Sequence, residues 1–504
     1  MNVMVILCDQ LRPDYLSCYG NKQIKTPNID SLYNDGVLFE HAITASPVCA
    51  PGRACMMTGR YVSDHNVWTN DVAFRDGIDF LPMRMKDNGY MCGAFGKLHH
   101  FPGKDSKGFD VAYQMEERRL QTEDDYYKYL KELHPEITDL YGHDEKGHFS
   151  YPLNEYYEHW MADKTIEFIK DNQTKNFFTW TSFQGPHGPM DAPIEDDGIT
   201  EWIEMDAAID VEHIPNSEVV QYRRMRQGVK PAKACRNYRS EYARMIQIID
   251  YEIGRIITHL KENGLYENTV IIFSTDHGDL AGDYGMFQKG PMLHKSQLEV
   301  PMIVANHPEL PKHTRSDILV SNIDIGATAL KVAKDDKSFG YSRSMAEMYN
   351  NKELQRDVIY AEFCDSMKLV SNKEYRMAYY PFAGECELVK IDEELVNLAD
   401  NPEYQEMKIK FLKDIIDFMV LAKGVQIETQ DLTPKVQEGL VKKWPSYKKE
   451  IPIVFPIASK RERQNLIDGG LNGDYNEFCI ERDDEIVQYY GKYWTDTRRF
   501  KTSY

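Results

Sequence analysis

Four stretches far apart in the chain end in side chains able to do chemistry together. Asp9-Gln10 closes the apolar run "VMVILC", Lys97 and His99 close "GYMCGAFGKLHH", His187 sits in "QGPHGP", and Asp276-His277 ends "NTVIIFSTDHGD". A fifth stretch, "SPVCAPGRACMMTGR", sets Cys49 four residues before Arg53. Asp9, Gln10, Asp276 and His277 offer three oxygen donors and one imidazole. Such a set suits a hard or borderline divalent cation, Ca2+, Mg2+ or Mn2+, better than a thiolate-bound tetrahedral zinc. Arg53, Lys97 and Lys289 would add positive charge beside it, which fits an anionic group gaining charge in a transition state. His99 and His187 are able to move protons near neutral pH. Singly, each residue has a bland use as a turn cap, a solvated cation or a satisfied imidazole. Their joint placement is the signal.

Cys49 falls just before an expected helix start, with Pro51 in the first turn and the apolar "ACMM" behind it. A helix N-terminus favours negative charge. A buried structural thiol, a metal-ligand thiol and a nucleophile precursor are all open on these residues alone. A cysteine hydrolase with an adjacent histidine would leave the metal-type carboxylates unexplained.

These side chains need elements to position them. Residues 3–8 are β-branched or apolar on both faces, as in a buried parallel strand. "TPNIDSLYNDG" predicts a helix with Thr26 as N-cap, Pro27 in the first turn, Ile29 and Leu32 inward and Gly36 as stop. Further strands are predicted to end near Lys97, before the Gly/Pro loop of His187, and at Asp276. Between Arg239 and Leu260, apolar residues recur at helical spacing at Tyr242, Ile246, Ile249, Ile253, Ile257 and Leu260. Strands alternating with helices predict an α/β fold: a mostly parallel sheet sandwiched by helices. Ligands in such a sheet gather beyond the carboxyl ends of the strands, where all four motifs fall.

After about residue 345 the texture changes. "EYRMAYYPF" and "ECELVKI" read as antiparallel strands, and "FLKDIIDFMVLA" as an amphipathic helix. The expected division is a catalytic domain over 1–345, an α+β subdomain over 346–424, and a tail over 425–504 that wraps the body or a neighbouring subunit.

With 504 residues, 42% of them apolar, the chain can bury a large core. A net charge of -20 argues against nucleic-acid or anionic-membrane partners, which the field would repel. Nine scattered cysteines, an odd number, read as reduced thiols and a cytoplasmic setting. The N-terminal "MNVMVILCDQ" has no basic segment of a signal peptide, and no apolar run approaches membrane-spanning length.

"CAPGR" followed by "MMTGR" resembles the type I sulfatase signature, Cys-x-Pro-x-Arg leading into Thr-Gly-Arg. "ILCDQLRPDYL", "TPNIDSL", "GKLH", "PHGP" and "STDHGDLAGDYGMFQKGP" appear in the order of that family, and the resemblance spans roughly residues 3 to 400. It implies an alkaline-phosphatase-like fold with a smaller C-terminal antiparallel-sheet subdomain. It also implies that a maturation enzyme oxidises Cys49 to Cα-formylglycine.

The resemblance further implies a divalent metal, Ca2+ first, held by Asp9, Gln10, residue 49, Asp276 and His277. The hydrated aldehyde at 49 would attack the sulfur of a small-molecule sulfate ester. Lys97 and Lys289 would spread charge on the sulfuryl oxygens, and His187 and Lys289 would sit at the leaving oxygen. Arg53 would hold the hydrate, His99 would take the proton that lets the sulfated intermediate collapse, and Asn70 would contact sulfate.

Two departures stand out: Gly52 where many members have Ser, and Asp9-Gln10 where many have two Asp. The second pattern also occurs in the choline-sulfatase and phosphonate-monoester-hydrolase branches, so a phosphonate monoester or phosphodiester hydrolase is the competing activity. "GKLH" resembles the sulfatase version. The polar tail is similar to that of choline-sulfatase-like members, whose tails cross a subunit interface, so a homo-oligomer is expected.

Overall fold

The computed structural model describes residues 1–422 except 118, 145–148, 194, 195, 197, 206–228, 365 and 382; the expected tail over 425–504 lies outside the described residues. The central sheet has eight strands: β1 (Asn2–Asp9), β2 (Gly36–Ile43), β3 (Met91–Gly96), β4 (Val111–Gln114), β5 (Phe177–Pro186), β6 (Thr269–Thr275), β7 (Ile303–Ala305) and β8 (Thr314–Ser321). Their order is β4-β3-β5-β1-β6-β7-β2-β8. Every pairing is parallel except those of β7, which runs antiparallel to both β6 and β2.

The middle strand shows why the sheet is a two-faced core. On β1, Met4, Ile6 and Cys8 enter one apolar cluster, and Val3, Val5 and Leu7 enter another. The two-residue period of a strand sends alternate side chains to opposite faces, so a continuous apolar run requires cover on both. One cover is α1 (Pro27–Asn34) with the helices Tyr157–Asn172 and Ala232–Glu262; the other includes α2 (Cys49–Thr58) and the helix Ile325–Val332. Each large aliphatic side chain removed from water there contributes about 1.5–3 kcal/mol.

A second sheet follows, with β9 (Ile359–Phe363), β10 (Met367–Ser371), β11 (Tyr375–Tyr380) and β12 (Glu385–Lys390) in the antiparallel order β12-β11-β10-β9. Phe411, Ile415 and Phe418 of the helix Gln405–Leu421 pack on Val370, Met377 and Leu388 of its one face. Its other face meets the main body at Ile43, Leu293, Leu298 and Leu319.

Three local details differ from expectation. Thr26 stands at the N-cap of α1, but its side chain makes no capping bond: its hydroxyl lies 2.8 Å from that of Ser17, and the amides of Asn28 and Ile29 donate instead to Asp250, 3.1 and 2.8 Å away. Gly36 is the first residue of β2 rather than only a helix stop. Cys49 is the first residue of α2, not a residue preceding it.

Candidate active site

The motif-bearing strands β3, β5, β1 and β6 are adjacent and parallel, so their carboxyl ends share one edge of the sheet. Asp9 is the last residue of β1, Lys97 follows β3, His187 follows β5 and Asp276 follows β6. α2 opens beyond β2 and brings Cys49 to the same edge. Arg53 lies four residues on, one turn along the same helix face.

Donor atoms of Asp9, Cys49, Asp276 and His277 all lie within 4.8 Å of one another, and all four residues are buried. The Cys49 Sγ is 3.2 Å from His277 Nε2 and 3.6 Å from Asp9 Oδ1. His277 Nδ1 lies 2.8 Å from the carbonyl of Gly278, a pure acceptor, which places the ring proton on Nδ1 and leaves the Nε2 lone pair facing the cluster. Gly278 is needed there: a Cβ at this position would lie 2.0 Å from the carbonyl oxygen of Ser296.

The buried carboxylates are met by buried cations. Arg53 Nε donates to Asp276 at 2.9 Å and its Nη2 to Asp9 at 3.2 Å, while Nη1 donates to the Lys97 carbonyl and Ser182 Oγ, both at 2.6 Å. Lys97 Nζ is 2.5 Å from Asp9 Oδ2 and also meets Glu117. Burial alone would raise the Asp9 carboxyl; Lys97, His187, Arg53 and Lys289 together hold it well below the usual range. Lys97 in turn is raised, against its burial, by Asp9 and Glu117.

The remaining expected residues surround this centre. Gln10 adopts φ 71° beside the cluster. Its amide oxygen accepts from Lys289 Nζ at 2.6 Å, its amide nitrogen donates to Asp279, and its backbone N–H donates to Asp276 at 3.0 Å. That oxygen is therefore directed to Lys289 here. Asn70 Oδ1 accepts from the Ala50 N–H at 3.2 Å, holding the loop against the first turn of α2.

His99 is 3% exposed at φ 57°, and among the described residues neither ring nitrogen has a hydrogen-bond partner. Burial, then Arg119 and Lys97, hold it well below its ordinary value, so its ring is neutral. His187 is half-buried, with Nδ1 2.7 Å from the Gly188 carbonyl and 3.1 Å from Glu117 Oε1.

Several residues at the site were not singled out from the sequence. Glu116 accepts from the backbone amides of Leu98 and His99, at 2.8 and 3.0 Å, and so shapes the turn carrying Lys97 and His99. Burial pushes its carboxyl up to about 7. Asn322 donates to the Asp276 carbonyl at 3.0 Å and accepts from the Ala45 N–H at 2.9 Å, tying the approach to α2 against the end of β6. The Glu116-Glu117 pair, two adjacent acids one residue beyond the end of β4, was the visible signal for one of these; Asn322 and Ser182 carried none.

Gly52 has a packing reason. A Cβ there would sit 2.9 Å from the Ser46 oxygen and 3.3 Å from the Asp276 oxygen, so α2 approaches the cluster more closely than a side chain at 52 permits.

A mostly parallel sheet sandwiched by helices, with such a cluster at its carboxyl edge, is an alkaline-phosphatase-like arrangement, and solved structures share it. A phosphonate monoester hydrolase of Agrobacterium radiobacter superposes with TM-score 0.70 at 20% identity, covering 84% of this chain and 96% of that one. A structure solved with its substrate D-glucosamine-2-N,6-O-disulfate gives 0.67 at 18% identity, covering 85% and 99%.

The family model described as Sulfatase matches residues 1–335, and the chain belongs to that family. It is a sulfuric ester hydrolase. An arylsulfatase of Clostridium perfringens is 28% identical over 82% of this chain and 93% of its own length. An N-acetylglucosamine-6-O-sulfatase of Bacteroides thetaiotaomicron is 23% identical over 66% and 67%.

Proposed function

We propose that the chain hydrolyses a small-molecule sulfate monoester with residue 49, converted to Cα-formylglycine, as its nucleophile. The observation that carries this reading is the meeting of Asp9, Cys49, Asp276 and His277 within 4.8 Å, flanked by Arg53 and Lys97. Two carboxylates beside Sγ are what a thiolate nucleophile would avoid and what a cation needs. The spread of donors fits a single ion bound at about 2.0–2.6 Å from each ligand. Asp9, Asp276, His277 and residue 49 would hold it, with Gln10 beside them; the oxygen-rich set favours Ca2+. A divalent cation there activates an oxygen nucleophile and offsets charge on the sulfuryl group.

The chain's own residues then have distinct tasks. Lys97 and Lys289 bind the sulfuryl oxygens, and Asn70 contacts them as well. Arg53 pairs with both Asp9 and Asp276 and holds the hydrate. His187, with Lys289, stands at the leaving oxygen and delivers a proton to the departing alcohol. His99, neutral and unpartnered, takes a proton from the second hydroxyl at residue 49, and sulfate is released. A plain cysteine or serine lacks that hydroxyl.

Maturation must precede folding, because Cys49 is 1% exposed and Pro51 and Arg53 are also buried. A formylglycine-generating enzyme would therefore need the extended chain. The eight described cysteines are all free thiols and seven are buried, which supports a reducing, cytoplasmic compartment. Among the described residues no helix is long and apolar enough to cross a membrane. A homo-oligomer built through 425–504 completes the reading, and light scattering on the full chain tests it.

Mass spectrometry of the peptide across Cys49 is the direct test. The mass change of a CH2SH group replaced by CHO is expected, and an unmodified thiol in fully active protein would remove the aldehyde. Cys49→Ala is expected to fold normally and to lose activity by about 10⁴-fold or more. Asp9-Gln10 and the phosphonate monoester hydrolase neighbour favour the competing activity. Rates on aryl sulfates against phenylphosphonate monoesters decide between them.

A further inference from the structure

Glu117 is half-buried at φ 46°, and four donors converge on its carboxylate. Oε1 accepts from Lys97 Nζ and from Gln184 Nε2 at 2.6 Å, and faces His187 Nδ1 at 3.1 Å. Oε2 accepts from Arg119 Nη1 at 2.6 Å, and Arg119 Nε donates to Asp71 at 3.0 Å. His187 Nδ1 thus lies between two acceptors, Glu117 Oε1 and the Gly188 carbonyl, and must carry a hydrogen. The other charges near the ring are Asp9 and, across Glu117, Lys97 and Arg119.

We propose that Glu117 is a positioning residue for leaving-group protonation: by bridging Lys97 and His187 it fixes the imidazole with Nδ1–H held by Glu117 and Nε2 turned to serve the departing alcohol. This rests on the reading of His187 as the group at the leaving oxygen. As the hydrate oxygen of residue 49, its own proton already released to solvent, forms its bond to sulfur, the ester S–O bond breaks and its electron pair moves to the ester oxygen. That oxygen takes the Nε2 proton, the alcohol departs neutral, and His187 is left as neutral imidazole with Nδ1–H facing Glu117. Because Lys97 shares Oε1, the same carboxylate keeps the sulfuryl-binding ammonium and the proton donor at a fixed separation. A carboxylate so fully engaged by protein donors orients its neighbours rather than binding substrate.

The test uses the matured enzyme and three esters of decreasing leaving-group acidity: 4-nitrophenyl, 4-chlorophenyl and phenyl sulfate. Glu117→Gln is expected to lower kcat on phenyl sulfate by about 100-fold and on 4-nitrophenyl sulfate by less than about 10-fold, since an acidic phenol needs little help from a general acid. His187→Ala should show the same slope, and the double variant should fall no lower than His187→Ala alone. An equal loss on all three esters in Glu117→Gln, beside a steep slope in His187→Ala, overturns the assignment of Glu117 only. A flat profile in His187→Ala, or wild-type enzyme inert on every aryl sulfate, removes the reading beneath it and Glu117 with it. Should Glu117→Gln fail to fold, Gln184→Leu takes its place: it removes one donor to Oε1 and must give the same slope at smaller amplitude, and a flat response there overturns the proposal.

Discussion

Arg53 is the side chain that lets Asp9 and Asp276 be buried next to each other. Its Nε and Nη2 each meet one carboxylate, and its third nitrogen is fastened to the Lys97 carbonyl and Ser182. Removing one partner of a buried ion pair leaves the other charge uncompensated, which costs about 3–5 kcal/mol. Arg53→Met is therefore expected to lose about that much in urea unfolding, besides activity; a loss below about 1 kcal/mol would show that the carboxylates do not depend on it. Asp9, Lys97, His187 and Asp276 were legible in the sequence because each follows an apolar run that can only be a strand. Glu117, Ser182 and Asn322 were not, because their roles depend on which groups the fold sets opposite them. Gln10 was legible as a neighbour of the cluster, but the bond of its amide to Lys289, 279 residues on, was beyond local reading.

Helix and strand ends do the positioning. The segment 293–298, whose last four residues form a short helix, is pinned by the second sheet and the turn that follows it: the Leu293 N–H donates to Tyr380 at 3.0 Å, and the Lys295 N–H to Glu394 at 3.0 Å. That segment in turn holds Gly278, whose N–H donates to the Gln297 carbonyl at 3.0 Å, and Gly290, whose N–H donates to the Gln297 side chain at 2.9 Å. The antiparallel sheet thus buttresses both His277 and Lys289 without touching them.

Gly278→Ala is expected to force Ser296 away and to destabilise by about 1–3 kcal/mol, with weakened binding of the proposed divalent cation in calorimetry. Unchanged cation affinity in that variant would contradict the buttress. The strong elements were readable: β1 by its two apolar faces, and the long helix, although it starts at Ala232 rather than Arg239. β4 and β7 have four and three residues, too few to show a period. The true cap of α1, Asp250, lies 222 residues from Asn28, so no local pattern could have shown it.

Across the whole molecule the net charge is -20, while Arg53, Lys97 and Lys289 gather at the site. An anionic ester must approach through a repulsive field, so kcat/KM should rise as salt goes from about 10 mM to about 150 mM and the field is screened. A fall would mean that the site's own cations govern the approach. A second global property follows from buried acids. Burial raises Glu158 and Glu394 from 4.5 to about 8. Both keep their proton in the folded chain through a window in which the unfolded chain has lost it. The stability they contribute is complete below pH 4.5 and disappears as pH rises through about 8. Tm should therefore decline from about pH 5.5 to about pH 8.5, with a shallower slope in Glu394→Gln.

One consequence concerns any purified sample. If residue 49 is converted as proposed, then with residues 49, 51 and 53 sealed inside, a chain that reaches its native state still carrying the thiol is beyond repair. Each batch is then a frozen mixture of competent and dead molecules, and its specific activity reports their ratio as much as the speed of any one site. Batches from different hosts should disagree in apparent kcat and share a single KM.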